Sequence, residues 1–277
     1  MSMRLLYITN DPVIAQVAQR AGVDWIFVDM EYRGKSDRQA NRDTVISAHT
    51  LEDVQLLRRV ISTSQLMVRI NPWGKWSKAE IEGVVQAGAD IIMLPFFTTT
   101  AEVTAFIAEV AGQAKTCLLL ETMASIEILD DILAVPGIDY VHIGLNDLHI
   151  ERGTNFMFEF LSDGGIDRVS SKLRGAGITF GFGGMARIGS LLPPAERILA
   201  EHFRVGSSGV ILSRSFCHPS QATDARVFEV LFTEEVARIR RQEQWLALAD
   251  EAFFERNRLR VIDEVNQVVR QIRDRQE

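Results

Sequence analysis

The residues able to do chemistry are few, and they sit at the ends of apolar runs. Asp29 and Glu31 follow one run, Arg69 and Asn71 another, Glu121 ends a third, Asn146 and Asp147 follow a fourth, and Arg214 the last. Glu121 and Asp147 are separated by one helix-length segment, which puts them on neighbouring strands. Two carboxylates held that close repel unless one is protonated or a cation lies between them. A hard divalent ion with oxygen ligands and several waters answers that need, which points to Mg²⁺ or Mn²⁺. No His or Cys pair at metal-ligand spacing competes for zinc. The other reading of the pair is structural: Glu121 caps the following helix and Asp147 turns its loop.

The elements that must carry these residues alternate along the chain. Apolar runs at 4–8, 24–29, 66–70, 90–94, 116–121, 139–143, 178–182 and 208–212 read as strands, and their near-continuous apolarity suits parallel strands buried on both faces. Helical patterns over 12–21, 51–62, 78–87, 100–113, 124–134, 165–176 and 194–204 separate them, and another begins near Ala222. Ala21-Gly22, Ala87-Gly88 and Ala176-Gly177 end three helices just before the next strand, where glycine supplies the left-handed cap of a tight turn. The alternation predicts an α/β fold, a (β/α)8 TIM barrel over 1–220, whose mouth at the C-terminal strand ends gathers the polar residues above. An open doubly wound sheet would carry Gly-x-Gly-x-x-Gly where this chain has Thr9-Asn10-Asp11-Pro12.

Residues 221–277 read as C-terminal helices, with an apolar stripe through Leu259, Ile262, Val265, Val269 and Ile272. One helix closes the barrel. The rest is expected either to contact another subunit of a homo-oligomer or to fold back on its own barrel. The formal charge of −7 argues against a nucleic-acid partner, and no stretch approaches the ~20 apolar residues of a membrane span. With only Cys117 and Cys217 and no secretory leader pattern, the expectation is a reduced, cytoplasmic protein. The long loop after the second strand, Met30 to His49, holds Arg33, Lys35, Arg38 and Arg42 against Glu31, Asp37 and Asp43, and suits an anionic second substrate or a solvated or subunit-contact loop. Gly181 to Met185 permits close backbone approach, for an anion or for packing. Trp73 and Trp76 read as packing at the mouth, and His142, inside the sixth strand, as core.

Four stretches together resemble the HpcH/HpaI aldolase and citrate lyase family of metal-dependent barrels. They are Ala21 through Glu31, Val68-Arg69-Ile70-Asn71-Pro72-Trp73, Ala87-Gly88-Ala89-Asp90 through Pro95, and Leu120-Glu121-Thr122 with Val135 through Asp139 and Gly144 through Leu148. Their order over roughly 1–150 carries the likeness. It implies a divalent metal on Glu121 and Asp147 that chelates a 2-oxo acid. It also implies a carboxylate received by amides around Asn146 and Asp147, and Arg69 stabilising the enolate oxygen. Asp29 and Glu31 would hold the waters around the metal, and Arg214 would bind substrate.

The implied function is a carbon–carbon lyase joining a pyruvate-like enolate and an aldehyde or sugar-derived partner. A Claisen-type or phosphoenolpyruvate-using synthase, and a non-catalytic binding protein on a degenerate barrel, are the alternatives. The chain departs from the family where aldolases place a histidine base, which is Tyr32 here, and its paired acid, which is Gln86. Leu119 replaces a glutamine, and the long loop between the fourth and fifth strands is missing. Tyrosine is a poor base near neutrality, with its reference pKa near ~10. His149, two residues past Asp147, and His49, at the end of the long loop, are the other candidates for proton transfer.

Overall fold

Each strand of the chain is too apolar to face water, and each following helix has one apolar face, so the two kinds of element bury one another in turn. The computed structural model describes residues 2–34, 48–213, 216–217 and 224–275. In its first half, β1 (Arg4–Ile8), α1 (Pro12–Arg20), β2 (Trp25–Asp29), α2 (Leu51–Val60), β3 (Gln65–Arg69), α3 (Ser77–Gln86), β4 (Ile91–Leu94), α4 (Thr100–Val110) and β5 (Lys115–Leu120) follow strict alternation. The second half runs α5 (Met123–Glu127), α6 (Leu129–Leu133), β6 (Tyr140–Ile143), α7 (Leu145–Glu151), α8 (Glu159–Ser162), α9 (Gly165–Gly175), β7 (Phe180–Phe182), β8 (Gly184–Met185), α10 (Ala195–Val205) and β9 (Gly209–Leu212). The C-terminal helices are α11 (Ala225–Leu246) and α12 (Glu251–Arg273).

All strand pairings are parallel, in the order β7-β6-β5-β4-β3-β2-β1-β9-β8. The β7 and β8 segments are one barrel strand interrupted at Gly183, whose φ of 53° turns the chain out of β geometry. Closure runs from Ser208 N–H to the Phe180 carbonyl at 2.8 Å. The expected (β/α)8 barrel is therefore what forms. The glycines after α1, α3 and α9 adopt φ values of 92°, 91° and 70° at Gly22, Gly88 and Gly177, as expected of left-handed helix ends.

Two differences from the sequence expectation bear on the site. The helix expected over 124–134 breaks at Ile128 into α5 and α6. The β6–β7 connection, for which periodicity gave no helix before 165, carries the short helices α7 and α8, and α7 starts beside Asn146 and Asp147. Leu6, Trp25, Phe27, Met67, Ile91, Met93, Cys117, Leu119 and Tyr140 fill the barrel interior, apart from the larger core between strands and helices.

The C-terminal helices lie on the barrel. On α11, Phe228, Phe232, Val236 and Ile239 are buried, with Phe232 edge-on to Tyr7 at 4.9 Å. On α12, Val261, Val265 and Val269 are buried, and Asn257 Nδ2 donates to the Arg197 carbonyl and to Glu201 Oε1 on α10. Among the described residues no helix is long and apolar enough to cross a membrane.

Candidate active site

Parallel pairing sets the end residues of β2 and β3, Asp29 and Arg69, side by side. The guanidinium donates from Nε to Asp29 Oδ1 and from Nη2 to Asp29 Oδ2, both at 2.8 Å, and Glu31 Oε2 stands 3.4 Å from Nε. Such a two-point fork fixes orientation as well as charge. Burial disfavours the arginine's charge, but Asp29, Glu31 and Glu121 outweigh it and hold the guanidinium above its ordinary pKa. Asp29 thus clamps Arg69 directly.

Glu121 follows β5 and is buried. Its Oε1 accepts from Phe96 N–H at 3.1 Å, and Phe96 is held at φ 50°, a left-handed conformation that is costly for a phenylalanine. The helix after Glu121 is capped by Thr122, whose side chain accepts from Ser125 N–H, so Glu121 is not the helix cap. A Cβ on Gly144 would come within 2.7 Å of Glu121 Cβ and 3.0 Å of Oε2, so glycine there keeps space open beside the carboxylate. Asp147 lies in the first turn of α7, next to Asn146.

Asp29, Arg69, Glu121, Asn146 and Asp147 all line one cavity of about 960 Å³ at the C-terminal strand ends. Among the described residues no group of three or more His, Cys, Asp or Glu side chains is gathered to hold a metal ion. Glu121 and Asp147 remain a pair of hard oxygen donors, and Mg²⁺ is commonly held by one or two carboxylates with water and substrate completing its shell.

The candidates for proton transfer are spread apart. His49 lines the cavity, and its Nδ1 accepts from Asp29 N–H at 3.0 Å, which places the proton of the neutral ring on Nε2. Tyr32 follows β2, 55% exposed and off the described cavity wall. Its N–H and that of Arg33 donate to Asn71 Oδ1, while Asn71 Nδ2 donates to Glu80. Asn71 is thus a clamp on the β2 loop. Arg33 stacks 4.2 Å from the centre of the Trp76 ring, so that tryptophan supports a cation and not a ligand. His149 is on α7, off the described cavity wall. Arg214, Lys35, Arg38, Arg42 and His218 lie outside the described residues.

Sequence reasoning missed His142. Its ring lines the cavity, Nε2 bonds the Gly183 carbonyl at 3.1 Å, and Nδ1 has no hydrogen-bond partner among the described residues. Burial pushes it down to about 4, so it is neutral. The signal was available, because Tyr140 and His142 alternate with Val141 and Ile143, and one of those two sets must face the barrel interior.

Residues 4–160, more than half the chain, match the family described as HpcH/HpaI aldolase/citrate lyase. The chain belongs to the HpcH/HpaI aldolase/citrate lyase family. A hydroxypyruvate/pyruvate aldolase of Agrobacterium fabrum is 29% identical over 174 residues, 52% of this chain and 60% of that protein. A hydroxypyruvate/pyruvate aldolase of Roseovarius nubinhibens is 26% identical over 161 residues, 52% of this chain and 62% of its own length. The match thus spans about six tenths of these curated relatives. The solved HpcH/HpaI aldolase of Desulfitobacterium hafniense superposes with a TM-score of 0.60 at 16% identity, covering 76% of this chain and 86% of that one, which speaks to the fold.

Proposed function

We propose that this HpcH/HpaI family member is a carbon–carbon lyase acting on the enolate of a pyruvate-like 2-oxo acid with an aldehyde partner, and that it requires Mg²⁺ or Mn²⁺. One observation carries the reading: Glu121, Asp147 and the Asp29-clamped Arg69 converge on a single cavity at the barrel mouth. The names of the two curated relatives support the 2-oxo acid half.

Glu121 and Asp147 would hold the ion, in the space that Gly144 leaves beside Glu121. When bound, a divalent ion polarises the oxo group and stabilises the enolate. In the cleavage direction the aldol hydroxyl loses its proton and the carbon–carbon bond pair passes into the enolate. That carbon then takes a proton, leaving oxo acid and aldehyde. Arg69 would meet the enolate oxygen with a guanidinium that needs no reorientation as charge develops, because Asp29 already fixes it. Asn146 and the amides opening α7 would receive the carboxylate. His49, which lines the same cavity beside Asp29, is one candidate for proton transfer at the aldehyde oxygen.

Tyr32 and His149 are the remaining candidates for proton transfer. A base role for either predicts that Tyr32→Phe or His149→Asn slows the reaction by about 10²–10⁴. The exposed Val230, Trp245 and Leu259 on the C-terminal helices and Leu248 in the turn between them support a homo-oligomeric contact there, and the two buried free thiols suit a cytoplasmic location.

Deuterium exchange at the methyl group of pyruvate tests the reading. Exchange that needs Mg²⁺ or Mn²⁺ and is lost in Glu121→Gln is the expected result. No exchange with pyruvate, hydroxypyruvate or related oxo acids would overturn it. The anionic partner expected from the β2 loop rests on Lys35, Arg38 and Arg42, outside the described residues, and on Arg33, which stacks at the rim.

A further inference from the structure

The cavity has two unlike arcs. Its charged arc runs over β2, β3, β5 and β6, where Asp29, Arg69, Glu121 and Asp147 stand. The adjoining arc is built from the rest of the β6–β7 connection, β8 with the segment after it into α10, and the start of α1, and there Ile14, Phe158, Met185, Leu191, Leu192 and Ile198 line it. Four of these are packed wall: Ile14, Phe158, Met185 and Ile198 are at most 9% exposed. Leu191 is the opposite, 66% exposed at the rim and held at φ 68°. A leucine kept in water and in left-handed backbone carries two local costs, which a ligand that covers it would reduce by one.

Two polar side chains beside this arc, Thr9 and Asp11, are already engaged. Thr9 Oγ1 accepts from Asp11 N–H, and Asp11 Oδ1 accepts from Val13 and Ile14 N–H to cap α1. Among the described residues that line the cavity, Arg69 is the sole lysine or arginine, and Asp29 holds it. An anionic partner would therefore meet several carboxylates and no unclaimed cation on the described wall. A volume of about 960 Å³ is also far beyond what a three-carbon oxo acid fills, since cavities of ~300–1,000 Å³ suit drug-sized ligands.

We infer that the partner bound beside the charged arc is an apolar aldehyde, with an alkyl chain or aryl ring seated between α1, the segment after β8 and the later part of the β6–β7 connection. This rests on the lyase reading above and specifies its second substrate. The oxo acid keeps the charged arc, and the aldehyde carbonyl lies at the boundary between the two. The new bond joins the enolate carbon to that carbonyl carbon, and the resulting alkoxide takes a proton, so no oxidant or reductant is needed.

The test uses the Mg²⁺-loaded enzyme with pyruvate and a series of aldehydes: propanal, butanal, hexanal and benzaldehyde against glyoxylate and glyceraldehyde phosphate. Each methylene moved from water into an apolar wall is worth about fourfold at full burial, so kcat/KM should rise by about two- to fourfold per methylene towards hexanal. Leu191→Ser, at an exposed position that does not threaten folding, should flatten that slope, as should Ile198→Ala. A flat series, or preference for glyoxylate or the phosphorylated aldehyde, overturns the inference while pyruvate methyl exchange leaves the lyase reading standing. Absence of exchange with every oxo acid overturns the lyase reading instead. Calorimetry with hexanol and benzyl alcohol then decides the apolar arc separately: binding weakened by Leu191→Ser supports it, and no binding overturns it.

Discussion

Replacing Asp29 with asparagine keeps the shape of the clamp on Arg69 and removes its charge. The Arg69 side chain is 13% exposed and that of Asp29 3%, so solvent screens the pair little. Removing one partner of a buried ion pair costs about 3–5 kcal/mol. Glu31 remains 3.4 Å from Nε and takes up part of the charge, so the low end, about 3 kcal/mol, is expected. For a chain of this size that is a fall of about 6 °C or more in Tm. Catalysis should suffer separately, because a guanidinium free to swing no longer waits where the enolate charge forms. Loss of one such preorganised donor lowers kcat by about 10²–10³. The assay pairs thermal unfolding with steady-state cleavage, and kcat should fall much more than KM for the oxo acid rises. A Tm lowered as stated with kcat unchanged would refute the positioning argument, and an unchanged Tm would refute the clamp itself.

Three further outcomes follow from local geometry. Gly144→Ala puts a methyl 2.7 Å from Glu121 Cβ, so it should displace that carboxylate, lower stability by about 1–3 kcal/mol and raise the Mg²⁺ concentration needed for exchange, which a metal titration reads. Gly181→Ala drives a methyl into Tyr140 Oη and the Gly209 carbonyl. Tyr140→Phe should therefore rescue its thermal stability only in part, since the backbone clash remains. His142 is held at about 4 by burial, against an ordinary value of 6.5, so the unfolded chain binds more protons between those pH values and stability falls as pH drops from 6.5 to 4. That fall amounts to about 3 kcal/mol at 1.36 kcal/mol per pH unit. Urea titrations of His142→Leu should show a shallower loss over that window, with the buried His202 still contributing in the same direction.

The barrel was legible because its strands are continuous apolar runs and three of its helix ends carry an Ala-Gly pair, both consequences of burying parallel strands on two faces. The acids and Arg69 at the mouth were legible for the same reason: a polar residue ending a run like Trp25–Asp29 or Gln65–Arg69 has only the mouth to face. What the pattern hid was pairing. Asp29 and Arg69 close β2 and β3 in register, whereas the family resemblance implied waters for one and an enolate for the other. Neighbouring parallel strands put their last residues beside each other, and opposite charges so placed bind each other first. The short helices α7 and α8 carried no periodic signal because seven and four residues are too few to show one, and Phe156, Met157 and Phe158 between them line the cavity.

The basic loop after β2 suggested an anionic partner because charge is what a sequence displays most openly. Arg33, the described member of that set, spends its charge over Trp76 and Tyr32 and Arg69 spends its own on Asp29, so neither is left to meet a second anion. Apolar residues display no such sign, since a leucine in a loop looks like any other. Gathered around one cavity with Glu121 and Asp147, however, Leu191, Leu192 and Ile198 form an apolar part of its wall. The same barrel closure gathers the carboxylates and the hydrocarbon side chains around one cavity, and on the proposed reading its substrate is charged at one end and oily at the other.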